Sequence, residues 1–285
     1  EGHRLRLNPW GYAVAGFWLI RKSRKKSLSG DQQFLPALVY VDGEDGKVLA
    51  WVAGMEEMRP YHEVLLRAGC GNIEVNMKHE VIAKRLRQDL ENALMGSGDV
   101  ILAVDAVQAS MRSKVWRWLQ DSEIVRDQAT FADNRTWLPE DVKGLRIVRV
   151  RSETGEIPTW YAGDNTKAGI SKGLWRVNDR VFGSTTGTPS TQKFNRGLTK
   201  TDTSKAVENT PNPVFYELTT AFIELGDDPA EIASMVHSLR EASIQSRDET
   251  AHPLPLHLAK RIEEYLLLVD DDSDSSDSDE AEDGE

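Results

Sequence analysis

Cysteine is almost absent from this 285-residue chain. Cys70 stands alone, which rules out an internal disulfide and a Cys-rich zinc site and points to a reducing, cytoplasmic setting. The chain also lacks an apolar run of the ~18 residues that a membrane span requires. The longest candidate, near the N-terminus, is broken by Gly16 and Trp18 and runs into the Arg-Lys-rich stretch 21–26. No Gly-rich phosphate loop occurs, so a nucleotide triphosphatase finds no support. His3, His62, His79, His237, His252 and His257 are scattered without ligand spacing, and Cys70 has no histidine beside it to activate a thiol. A signal sequence is missing too. The chain opens on Glu1 and passes at once into a patterned stretch, and is read as a piece of a longer protein.

What is present suits a soluble globular protein of one or two domains, with 39% hydrophobic and 28% charged residues. The net charge of −11 argues against a nucleic-acid partner until the acids are located. Ten of them lie between Asp270 and Glu285, leaving 36 acids against 35 bases elsewhere. That tail has too little apolar surface to order itself, so residues 269–285 are expected to be disordered. Within the near-neutral remainder, Lys143 to Lys205 carries twelve bases against five acids. Arg146, Arg149, Arg151, Lys172 and Lys193 are its candidates for gripping a phosphate backbone, and a solvated loop region without a partner is the plain alternative.

The periodicities alternate between strand and helix. Residues 10–20 are strand-like, and LPALVYV and KVLAWVA flank a turn signal at 42–46, as in a hairpin. Ile82, Leu86, Leu90 and Leu94 recur every four residues, predicting a helix over 79–95. The uninterrupted run Val100 to Val104 suits a strand covered on both faces. A further helix is expected from Gln108 to Leu119, a strand from Leu145 to Val150, and another from Val214 to Leu225. Asp228 and Pro229 open the next helix, and Pro255 begins a last one whose apolar stripe docks on the body. The fold class is α/β, a mixed sheet flanked by helices.

Two aspartates follow directly on apolar strand runs, Asp42 and Asp105. In α/β sheets ligands gather at the carboxyl ends of strands. If the two strands are parallel neighbours, the pair can hold Mg²⁺ or Mn²⁺ for phosphoryl chemistry. The alternatives are a hairpin-turn residue for Asp42 and a helix cap for Asp105. Trp116, four residues after Arg112, offers a surface on which a base or guanidinium can stack, or else simply covers the sheet edge.

Several segments resemble a known family. Asn212 to Leu218, the helix around 231–240 and His252-Pro253-Leu254-Pro255-Leu256-His257-Leu258-Ala259-Lys260 resemble the closing region of Argonaute PIWI domains. More narrowly, DAVQASMRSKVWRWLQD, LRIVRVR and LPLPLHLAKRIEEYLL look like the RNase H module of the bacterial pPIWI-RE family. The likeness implies an RNase H-like domain over residues 35–268, with 1–34 a lead-in from a preceding module. It further implies recognition of an RNA–DNA hybrid or guide–target duplex in defence against plasmids and phages, with helicase or nuclease partners encoded nearby. Active members bind two metal ions through acids on the strands and an Asp or His on the last helix. Asp42 and Asp105 match the strand positions, whereas the last position is Lys260. A lysine brings its own cation, so Glu263 or Glu264, one turn on, would have to complete the site, with Glu80 or Glu91 supplying the intermediate acid. Arg112 and Glu264 are assigned as the family's characteristic Arg and Glu. Three functional readings follow: a duplex-binding module with metal-dependent cleavage, a nuclease-dead scaffold recruiting a separate nuclease, and an interaction module acting through its acidic tail.

Overall fold

The computed structural model describes residues 11–22, 33–52, 55–70, 79–106, 115–131, 134–152, 161–162, 173–185, 199–200, 215–241 and 252–271. In chain order the elements are β1 (Ala13–Lys22), β2 (Gln33–Val41), β3 (Val48–Val52), β4 (Arg59–Pro60), α1 (Tyr61–Gly69), α2 (His79–Ser97) and β5 (Val100–Asp105). They continue with β6 (Ala129–Thr130), β7 (Thr136–Trp137), β8 (Leu145–Ser152), β9 (Tyr161–Ala162), β10 (Gly173–Arg176), β11 (Val181–Thr185), β12 (Thr199–Lys200), β13 (Phe215–Phe222), α3 (Pro229–Glu241) and α4 (Leu254–Asp271). Nine strands form one mixed sheet in the order β10-β11-β13-β8-β5-β1-β2-β3-β4, and β6–β7 and β9–β12 make two small ribbons.

The sheet is organised around β5, whose six residues VILAVD are all buried. It runs parallel to β1 on one side and β8 on the other. An apolar run with no alternation fits a strand that has helices over both faces. Side-chain alternation divides the layers. Gly16 and Trp18 of β1 face α4, which crosses β1 and β2 with α1 beside it, while α3 covers β13 and β11. The opposite face takes α2, where Arg85 lies over the Trp51 ring, and the 115–131 segment, where Arg149 reaches the Leu119 carbonyl. Ile82, Leu86 and Leu90 of α2 are buried at the predicted spacing. Asp228 opens α3 by accepting the Ala230 N–H at 2.9 Å. Among the described residues no helix is long and apolar enough to cross a membrane.

Several expectations are corrected by this topology. Residues 13–22 are not a lead-in but a central strand of the sheet, so the domain starts before residue 35. The strand ending at Val41 is antiparallel to β1, and β1 separates it from β5. Register pairs Val14 with Val41 and Phe17 with Val104, which puts Asp42 and Asp105 at opposite ends of the sheet rather than side by side. Asp42 is a hairpin-turn residue: its Oδ1 accepts the N–H groups of Glu44 (2.8 Å) and Asp45 (3.1 Å). Of the helix expected from Gln108 to Leu119, residues 108–114 lie outside the described residues, and Arg117–Leu119 form a 3-10 turn. α4 extends to Asp271, past the expected boundary at 268, and the acidic segment 272–285 lies outside the described residues.

Candidate functional site

The carboxyl ends of β1, β5 and β8 converge with the start of β13 and the end of β11, and the side chains facing α4 at that edge form a connected polar and aromatic cluster. Asp105 ends β5 with 4% of its surface exposed. Extending the β1–β5 register by one residue sets Trp18 next to it on the same face. Trp18 Nε1 donates to Glu263 Oε2 at 3.2 Å, and the Lys260 ammonium lies 5.5 Å from the Trp18 ring centroid. The His252 ring meets Trp18 edge to face at 5.5 Å.

Tyr216 closes the cluster from β13. Its hydroxyl is 3.2 Å from His252 Nε2, and the Arg240 guanidinium sits 4.7 Å over its ring. Burial first, and then the Asp105 charge, push the Tyr216 hydroxyl above its ordinary range, so it stays protonated. Burial likewise drives His252 down to about 3, helped by the neighbouring Lys260, His257 and Arg240 charges, so its imidazole is neutral. Arg240, fully buried, donates to the carbonyl (2.8 Å) and hydroxyl (2.6 Å) of Ser184, whose Oγ lies 2.8 Å from His237 Nδ1. Burying a guanidinium is costly, and these bonds with the Tyr216 ring compensate it.

This arrangement holds the α4 side chains over the end of β5 for a local reason. Gly16 lets the backbone at Pro255 and Leu256 rest directly on β1, and Tyr61 of α1 donates its hydroxyl to the Leu258 carbonyl at 3.0 Å. One and two turns along α4, Lys260 and Glu263 then fall over Trp18. Glu264 points elsewhere, paired with Arg261 at 3.4 Å on the exposed side of the helix.

Among the described residues the donor set at this edge does not fit two divalent ions. Such a site needs several carboxylate oxygens clamped around the ions. The edge instead offers Asp105 with an indole beside it and an ammonium above. Among the described residues no group of three or more His, Cys, Asp or Glu side chains is placed to hold a metal. Glu91 is an exposed residue of α2, on the far face of the sheet, and the Glu80 side chain lies outside the described residues.

The basic candidates are redistributed as well. Arg146, Arg149 and Arg151 are buried and engaged by carboxylates: Arg146 binds Asp99, Glu224 and Asp227, while Arg149 and Arg151 share Asp121. Lys172, Lys193 and Arg112 lie outside the described residues. Trp116 is no stacking platform. It is fully buried, stacked on Phe131 at 4.9 Å. Sequence reasoning singled out Asp105, Lys260 and Glu263, and missed Trp18, Tyr216, Arg240 and His252 as their neighbours. The segment HPLPLHLAK was the one available signal for His252.

Comparison with known proteins matches the chain to the RNase H domain of pPIWI-RE over residues 14–267, a span that takes in β1 and ends within α4. Among solved structures it is similar to the Argonaute of Marinitoga piezophila in complex with a 5′ OH guide RNA and target DNA, at 10% identity and a TM-score of 0.46, covering 94% of this chain and 31% of that one. It is also similar to Drosophila Piwi, at 12% identity and a TM-score of 0.41, covering 90% of this chain and 30% of that one. The chain thus spans about a third of the length of these proteins. No curated protein matches it. A mixed sheet with β1 and β5 parallel at its centre, a helix laid across β1, and a family match spanning most of the chain lead to one assignment: the chain belongs to the RNase H domains of the pPIWI-RE family.

Proposed function

We propose that this domain binds a nucleic-acid duplex, of RNA–DNA hybrid or guide–target type, at the Asp105 edge, and that it acts there as a scaffold without two-metal cleavage. The observation that carries the reading is the set of groups at this edge: β1 offers Trp18 beside Asp105, and α4 lays Lys260 over the same ring. A divalent ion at such an edge would neutralise phosphate charge and hold a nucleophile. A lysine ammonium does only the first, as a tethered point charge with three donors. Glu263 fixes the indole through Nε1 and Asp105 balances the local charge, so the edge binds a phosphate without a cation from solution. Family membership supports a nucleic-acid ligand and, with it, a role in defence against plasmids and phages in which a separate nuclease or helicase supplies the chemistry.

The test uses the whole chain with a labelled RNA–DNA hybrid, wild type beside Lys260→Ala, Lys260→Asp and Asp105→Asn. Wild type should bind equally in EDTA and in Mg²⁺ or Mn²⁺ and leave the hybrid intact. Lys260→Ala should weaken binding several-fold and lower the slope of log affinity against log salt by about 1, the loss of one phosphate contact. Cutting by wild type in Mn²⁺ that Asp105→Asn abolishes would refute the scaffold reading and restore the nuclease.

A further inference from the structure

On the other face of β8, at the same edge, Arg149 and Arg151 lie two residues apart and so point the same way. Both guanidiniums are almost wholly buried, yet they converge on one surface carboxylate. Arg149 Nη1 donates to Asp121 Oδ1 at 2.7 Å, and Arg151 Nη1 donates to Oδ1 and Oδ2 at 2.7 and 2.8 Å. The Asp121 side chain is 62% exposed. Behind it the contacts continue inward: Arg149 Nη1 also reaches the Leu119 carbonyl, and its Nη2 reaches Thr219 Oγ1 and Glu217 Oε1 at 3.2 and 3.4 Å.

Two features make this more than a structural ion cluster. First, among the described residues Arg149 Nε and, at the end of the adjoining segment, Trp116 Nε1 are buried without an acceptor, a situation that native interiors rarely tolerate. Second, the two carboxylates that meet the guanidiniums are unlike: Asp121 is exposed, whereas Glu217 is buried, and burial pushes its carboxyl upward despite the pull of Arg149 and Arg151. A carboxylate presents two oxygens. A phosphoryl group presents more, with charge spread over a tetrahedron that two guanidinium forks can grip together.

We infer that Arg149 and Arg151 form a phosphate-binding pocket that Asp121 occupies as a tethered stand-in, and that a phosphoryl group enters by displacing the Asp121 carboxylate. The gate is exposed and on a turn, so it can leave without unpacking the core, whereas the two arginines cannot. Burial opposes ionisation of Asp121, but the bonds from Arg151 and Arg149 hold its carboxyl below the usual range, which makes it a strong competitor for the pocket. The affinity for phosphate is therefore set by the gate as much as by the arginines. Because Asp105 and Val150 are register partners, the pocket opens at the same strand ends as the Asp105 edge, on the far side of the sheet. A backbone phosphate of the duplex proposed above is the source this position favours, and in that respect the inference rests on that reading.

The experiment compares wild type, Asp121→Asn and the double variant Asp121→Asn/Arg151→Ala. Inorganic phosphate is titrated at constant ionic strength against chloride, reading thermal midpoints, and hybrid affinity is measured in parallel. Asp121→Asn keeps the shape of the gate and removes its charge, so its midpoint should rise at phosphate concentrations at least tenfold below those wild type needs. The double variant should lose that response. Hybrid binding by Asp121→Asn should tighten several-fold and be competed by phosphate. A phosphate response in Asp121→Asn with unchanged hybrid binding keeps the pocket and assigns it to free phosphate. The same response in a protein that binds no hybrid at all sinks the duplex reading alone. Equal responses of all three proteins to phosphate would overturn the pocket itself, leaving Asp121 a structural partner of the two arginines.

Discussion

Replacing Gly16 by alanine tests the contact that positions the α4 side chains. A methyl at Gly16 would stand 2.6 Å from Leu256 Cα and closer still to the Leu256 nitrogen and the Pro255 carbonyl carbon. All three are backbone atoms, so no rotamer change relieves the clash. The helix itself must retreat by about 1 Å to reach ordinary contact. α4 packs against β1, β2 and α1, with its own Ala259, Ile262 and Leu266 buried, and moving it loosens that whole layer. Overpacking of this kind costs about 1–3 kcal/mol, and a rigid backbone partner puts Gly16→Ala at about 3 kcal/mol. For a chain of this size that corresponds to a fall in Tm of roughly 6–12 °C. A retreat of α4 also lifts Lys260 and Glu263 from Trp18, so hybrid affinity should fall at temperatures where the variant is still folded. Calorimetry and binding at 15 °C read the two effects separately. A Tm within 1 °C of wild type would show that α4 does not rest on β1 at Gly16, and the placement of the edge would have to be redrawn.

Arg146→Met should cost about 3 kcal/mol in urea unfolding, because it leaves Asp99, Glu224 and Asp227 facing one another without their shared cation; a loss under about 1 kcal/mol would mean solvent already screens them. Asp228→Ala should cost about 1 kcal/mol through the lost bond to the Ala230 N–H, and Asp228→Asn much less. His252 gives a pH signature. Its folded pKa, about 3, lies below the ordinary 6.5, so the unfolded chain binds the proton first and stability falls as pH drops below 6.5. The stability difference between wild type and His252→Gln should then change by up to about 1.4 kcal/mol per pH unit between pH 6 and 4, and a flat difference would show the imidazole is not excluded from protonation. Asp227 adds to acid sensitivity lower down. Burial opposes its ionisation, but Arg146 holds its carboxyl below the usual range, so its contribution is intact above about pH 4 and is lost as pH falls further.

The elements of the fold were legible wherever a pattern is local. The β5 run, the fourfold spacing of α2 from Ile82 to Leu90, the Asp228 cap, and Ile262 and Leu266 of the α4 stripe each depend on residues within one element, and each appears where the spacing predicted it, whereas Tyr265 of that stripe is exposed. What failed is what depends on direction and on distant partners. A hydrophobic run ending in aspartate looks the same whether its strand runs up or down the sheet, so Asp42 and Asp105 read as a pair until register put them at opposite ends. The arginines of LRIVRVR read as a cationic strip because the carboxylates that bury them, Asp99, Asp121, Glu217, Glu224 and Asp227, lie between 28 and 81 residues away. Trp116 read as helical because one apolar face suits a helix and a buried aromatic cluster equally well.

AVAGFWLIRK holds no carboxylate, a fact visible in the sequence from the start. It bears on chemistry only once β1 is known to run parallel to β5 with Trp18 facing the same way as Asp105, because only a residue at that height can share a ligand with it. An indole there also explains the lysine. Opposite a second carboxylate, Lys260 would form an ordinary ion pair and fill the edge. Over the Trp18 ring it keeps its charge and its donors while the indole N–H is satisfied by Glu263, so the ammonium remains able to meet a phosphate. Trp18→Asp is the substitution that separates these states. It puts a carboxylate beside Asp105 and beneath Lys260, and should weaken hybrid binding at least as much as Lys260→Ala, whereas Trp18→Phe, which keeps a ring face for the ammonium, should change it little. Equal binding by wild type and Trp18→Asp would show that the charge of Lys260 does not serve the duplex at all.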